Sequence, residues 1–144
     1  MESFKSFSLG GIQGAFKNAP AAMGLIEDQL ADLAEDVAPD ECAPTAEAKA
    51  ALLDDMGHLL HEFILCGAEP LLPHVSSLGG GDLTCTWMRP VRTLFLSISP
   101  VGKRRLQRIV MRGEKAETIE LIDSPDESAL FHSVLWVMGD DGAK

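Results

Sequence analysis

Leu83, Cys85 and Trp87 alternate with Thr84 and Thr86, and beyond Pro90 the alternation returns with opposite parity, Leu94, Leu96 and Ile98 now standing among Thr93, Ser97 and Ser99. Two strands of an antiparallel hairpin must put their apolar side chains on one sheet face. A turn of suitable length over Met88–Arg92 lets odd positions before it and even positions after it share that face. Pro90 fits the turn, because it could not donate to a central ladder. The pattern predicts strands over 83–88 and 93–99, preceded by a short strand over 74–78 and a Gly79–Gly81 loop. RRLQRIVMR forms a further strand, and AETIELI follows it across a turn near Gly113. The run Ile109, Val110, Met111 breaks strict alternation, which points to a bulge or to a strand covered on both faces.

Upstream of these strands the period is helical. Met23, Ile26, Leu30, Leu33 and Val37 recur at steps of three and four, with Glu27, Asp28, Asp32, Glu35 and Asp36 on the other faces. This predicts a helix from Pro20 that ends before Pro39. Thr45 is placed to cap a second helix over about Ala46–Leu65, with Leu52, Met56, Leu59, Leu60 and Phe63 inward and Gly67 as its left-handed stop. Ser124, Pro125, Asp126 and Glu127 read as a capping box opening a last, largely apolar helix through Leu130, Phe131, Val134, Leu135, Val137 and Met138, with Trp136 at its edge. Residues 1–18, with Gly10, Gly11 and Gly14 among Phe4, Phe7 and Phe16, show no stable period and read as an N-terminal arm.

The expected architecture is α+β: two N-terminal helices, a four- to five-stranded antiparallel meander, and a C-terminal helix packed on one sheet face, as one domain over residues 19–144. A length of 144 residues suits a single domain. The regular seam of the first helix is expected to pair with the second helix of the same chain, since the APDECAPT connection is short. No apolar run approaches the ~20 residues that span a bilayer, and the N-terminus lacks a signal-peptide pattern, so the expected location is cytosolic. Cys42, Cys66 and Cys85 have no paired spacing and are expected to be free, mostly buried thiols.

Charge changes the picture. Residues 1–82 hold 14 acids and 3 bases, residues 83–115 hold 1 acid and 8 bases, and residues 116–144 hold 7 acids and 1 base, within a net charge of −10. Arg89, Arg92, Lys103, Arg104, Arg105, Arg108 and Arg112 are expected on the turns and on the sheet face opposite the acidic helices, with Glu117 and Glu120 as neighbouring-strand partners. Such a face is a candidate docking surface, and Arg89, Arg92, Arg104, Arg105, Arg108 and Arg112 are its candidate contact residues. An acidic protein surface fits it better than nucleic acid, because Tyr is absent and Phe95 is alone among the bases of the segment.

Signals for catalysis are weak. His58 and His61 stand at i and i+3 with Glu62 outside them, not at the i, i+4 spacing of a zincin helix, and no metal or other cofactor is expected. Cys85 lacks a neighbouring cation that would activate a thiolate. No Gly-Lys-Ser/Thr follows the glycine run, so it is not a phosphate loop.

Pro44, Thr45, Glu47 and Ala48, then Pro73 and Val75, then Gly80, Gly81, Leu83 and Trp87, then Leu94, Leu96 and Ile98 resemble the ordered motifs of a widespread family of small uncharacterised bacterial proteins. That family carries a WDxYGA segment, a helix opening near TxEA, a P.V strand, a dGGv.lEW strand and a leIei strand. This chain has Ala38–Cys42 in place of the Trp-Asp and Tyr-Gly pairs, and Thr86 in place of the Glu. The resemblance implies an operon-partner gene of antitoxin, immunity or phage-defence type. The expected function is therefore non-enzymatic binding of another protein, the product of a neighbouring gene. The alternatives are a nucleic-acid-binding regulator using the basic face and a metal-dependent enzyme using His58 and His61.

Overall fold

The structure, a computed structural model, describes residues 8–35 and 37–139. In chain order it has α1 (Ser8–Glu35), α2 (Ala46–Cys66), β1 (His74–Ser76), β2 (Leu83–Met88), β3 (Arg92–Ile98), β4 (Arg104–Arg112), β5 (Lys115–Asp123) and α3 (Glu127–Met138). The strands form one antiparallel sheet in the order β1-β2-β3-β4-β5, a simple meander. This is the expected α+β architecture, with the helices on one sheet face.

The parity change at Pro90 is resolved by register. Leu83 stands opposite Ile98, Cys85 opposite Leu96 and Trp87 opposite Leu94, so all six side chains point to the helices and are buried. Burying six such side chains contributes about 1.5–3 kcal/mol for each large one. They meet Ile26 and Leu30 of α1, Leu52, Met56, Leu59 and Phe63 of α2, and Leu130, Val134 and Val137 of α3 in one core. The buried Trp87 ring donates its indole N–H to the Leu71 carbonyl at 2.8 Å, so no polar atom of the core's largest side chain is stranded.

The seam of α1 serves the fold of its own chain, because Ile26 and Leu30 enter the shared core and Met23 and Leu33 pack against it. Gln29 on the same helix joins α1 to the sheet edge: its side-chain amide donates to the Pro73 carbonyl at 3.2 Å and accepts the Val75 N–H at 2.8 Å. Thr45 caps α2 as expected, accepting the Ala48 N–H at 3.0 Å, and its hydroxyl donates to the Pro100 carbonyl at 2.6 Å. The glycine run lies beside the α1–α2 connection, where Cys42 N–H donates to the Gly79 carbonyl and Thr45 N–H to the Gly81 carbonyl. Gly79 has φ 93°, a left-handed backbone that favours glycine, and a Cβ there would push against the Glu41 side chain 2.9 Å away.

Several expectations are corrected. The expected arm is helical from Ser8, and the helix runs through Pro20; residues 1–7 lie outside the described residues. Three glycines and a proline lower helix propensity, and that local signal hid the start of α1. The cap of α3 is Asp126, whose carboxylate accepts the Ala129 N–H at 2.7 Å. Ser124 instead occupies a left-handed turn at φ 52°, so the capping box does not form. Cys42 and Cys66 are exposed, and only Cys85 is buried. The broken alternation in β4 is a bulge: Arg108 faces Glu120 while Ile109 faces Thr118, leaving Ile119 of β5 as the extra residue. No helix among the described residues is long and apolar enough to cross a membrane.

Candidate functional site

The six candidate arginines do not share the open sheet face. In β4 the inward parity is set by Leu106, which is buried opposite Leu96, so Arg104 and Arg108 point to the helix side with it. Arg92 shares the parity of Leu94 in β3 and also lies on that side. Arg105 is the strand arginine on the open face. Arg112 lies on the helix side of β4 but at its exposed end, and Arg89 lies in the β2–β3 turn. Long aliphatic stems let guanidiniums at the rim of a core pack along it while the heads reach polar groups.

Most of these heads are occupied. Arg104 Nε stands 2.6 Å from Asp55 Oδ2 on α2, with Asp54 Oδ2 at 3.8 Å from its Nη2. Burial pushes the Asp55 carboxyl above its ordinary value, against the hydrogen bond and charge of Arg104, which act to lower it. Arg108 Nε and Nη2 each lie 3.1 Å from Ser133 Oγ on α3, and Nε lies 3.2 Å from Glu120. Arg105 pairs with Asp123 at 2.7 Å, and Arg112 pairs with Glu117. The acids of β5 thus take up three of the cations of β4, which includes both neighbouring-strand partners expected from sequence.

Three of the arginines gather at one end of the sheet. Arg92 Nη1 donates to the Trp136 carbonyl at 2.5 Å, placing a cation at the negative C-terminal end of α3. Its guanidinium and that of Arg108 each lie 5.3 Å from the centroid of the Trp136 ring. Arg89 has no side-chain partner among the described residues. Arg89, Arg92 and Arg112 border a cleft of about 520 Å³ floored by Pro90, Val91, Val110, Trp136 and Val137. That volume lies in the range of ligand-sized pockets, roughly 300–1,000 Å³. Sequence reading found its arginines but not the cleft, because α3 ends against the β2–β3 turn only in three dimensions.

The weaker candidates do not converge. His58 Nδ1 lies 3.0 Å from Glu127 Oε2 and 3.8 Å from Asp54 Oδ2, joining α2 to α3, while His61 is exposed. Among the described residues no three His, Cys, Asp or Glu side chains gather as a metal site would need. Burial and the Asp55 charge push the Cys85 thiol up, away from a reactive thiolate.

Compared with known proteins, the chain matches no family model, and no curated protein and no solved structure is significantly similar to it.

Proposed function

We propose that the chain is a non-enzymatic binding protein that engages an acidic surface of another protein through Arg89, Arg92 and Arg112. The observation that supports this reading is the cleft those residues border, with Arg89 lacking a side-chain partner among the described residues. Arginine and tryptophan beside a concave apolar surface are the residue types that concentrate binding energy at protein interfaces. Arg104, Arg105 and Arg108 drop out of the contact set, since each is held by a carboxylate of its own chain and none lines the cleft, whereas Arg112, also paired with Glu117, does line it. The same pairing weighs against a nucleic-acid regulator, which needs a row of uncompensated cations to displace counterions. The resemblance in sequence adds that the partner is encoded by a neighbouring gene, of antitoxin, immunity or phage-defence type.

The test is co-purification of the tagged chain expressed together with its neighbouring genes at about 50 mM and about 500 mM salt, conditions that bracket weak and strong screening. The expected result is one stoichiometric protein partner, held more firmly at low salt. Recovery of no stoichiometric partner at either salt would overturn the reading.

A further inference from the structure

We propose that the cleft between the β2–β3 turn, the end of β4 and the end of α3 receives an acidic peptide segment of the partner, with one bulky apolar side chain seated on the floor and flanking carboxylates on the arginines. The inference rests on the binding reading above and names the chemistry of what binds.

Floor and rim make different demands. Val91, Val110, Val137 and Pro90 offer no hydrogen bonds, so only an apolar group gains by displacing water from them. Val91 is 53% exposed, so its side chain is open to an apolar group in the cleft. Three arginines line the cleft beside these apolar groups. Arg89 has no side-chain partner among the described residues, Arg92 spends one described hydrogen bond on the Trp136 carbonyl, and Arg112 uses its Nε on Glu117. Among the described residues Glu117 and the α3 carbonyl end are the opposing negative groups there, and against three arginines they leave an excess of positive charge. Arg92 is already fixed by its bond to α3 and by the Trp136 ring, so it loses little freedom when it meets a carboxylate.

A nucleic-acid strand fits poorly. A phosphodiester backbone brings nothing apolar to the floor, and a base would need the Trp136 ring, which Arg92 and Arg108 already cover. An acidic peptide carrying Phe, Leu or Trp satisfies floor and rim together.

The probe is the peptide acetyl-Gly-Asp-Glu-Phe-Asp-Gly-amide, titrated into the full chain by calorimetry at about 20 mM salt, where screening is weak. The expected result is one site, weakened at least about tenfold by Arg89→Glu in the protein and by replacing Phe with Gly in the peptide. Arg89→Glu should leave the melting temperature unchanged, which separates loss of binding from loss of fold. No heat at millimolar peptide, or equal affinity for the peptide lacking Phe, would overturn the inference. So would equal affinity of the Arg89→Glu variant. Failure of the wider reading looks different: a partner that co-purifies equally with wild type and Arg89→Glu removes the cleft and leaves the binding protein, whereas absence of any partner removes the binding protein and leaves the peptide titration to decide the cleft.

Discussion

Asp55 and Arg104 stand 49 residues apart in the chain and meet at 2.6 Å across the α2–β4 contact, the carboxylate almost enclosed and the guanidinium partly open to water. Removing one member of such a pair leaves the other charge buried without compensation, a loss of roughly 3–5 kcal/mol. Arg104→Met should therefore lower stability by about 3 kcal/mol in urea unfolding, with Arg104→Lys intermediate. A loss below about 0.5 kcal/mol would mean that the pair is open to solvent.

The same carboxyl has a pH signature. Its folded pKa is raised above the ordinary 3.8 by burial, so the folded chain holds this proton more firmly than the unfolded one. Stability contributed by this group is then present below the unfolded value and is lost as pH rises through the folded value. Relative to Asp55→Asn, wild type should lose stability as pH rises from about 4 towards neutrality. Paired urea titrations at several pH values check this, and a wild-type advantage that grows with pH would contradict it.

Thiol reactivity follows burial. Cys42 and Cys66 should react quickly with an aromatic disulfide reagent in the native protein, and Cys85, enclosed beneath α2 with its thiol pushed up, only on unfolding. Two fast equivalents, with the third released by denaturant, are expected. Three fast equivalents would place Cys85 outside the core.

At the start of α3 the two candidate caps separate cleanly. Asp126→Ala should cost about 1 kcal/mol through loss of its bond to the Ala129 N–H. Ser124→Gly should be neutral or stabilising by up to about 1 kcal/mol, because its backbone is left-handed. The reverse order in thermal melts would restore Ser124 as the cap.

Leu30→Asp tests the role of the α1 seam. Leu30 lies in the core shared with α2, so a carboxylate there should lower stability by a few kcal/mol at every protein concentration. A folded variant that merely dissociates to a smaller species in sedimentation would assign the seam to an oligomer.

The hairpin was legible because parity alone decides which side chains face the core: once Leu83, Cys85 and Trp87 must meet Leu94, Leu96 and Ile98, the register follows. The same rule, carried one strand further through Leu106, would have turned Arg104 and Arg108 inward. The bulge beyond Arg108 obscured it, since Ile109, Val110 and Met111 read as a strand without a clear face. The start of α1 was hidden for a different reason: Gly10, Gly11, Gly14 and Pro20 are poor helix formers taken singly, and helical context overrides them. Ser124 misled because its spacing to Glu127 matches a capping box, while its backbone angle is visible only in the folded chain. The cleft depends on Trp136 at the end of α3 meeting Arg92 at the start of β3, 44 residues earlier, a juxtaposition no local pattern encodes.

On the proposed reading this cleft, and not basic charge in general, holds the partner. Arg89 and Lys103 are both exposed, both lack a described side-chain partner, and lie at opposite ends of β3. The most direct measurement is retention of the co-expressed partner by tagged wild type, Arg89→Glu and Lys103→Glu at about 50 mM salt, where charge effects are strongest. Wild type and Lys103→Glu should retain it in stoichiometric amount, and Arg89→Glu should lose it while melting at the wild-type temperature. Equal retention by Arg89→Glu, or equal loss by both variants, would contradict the claim.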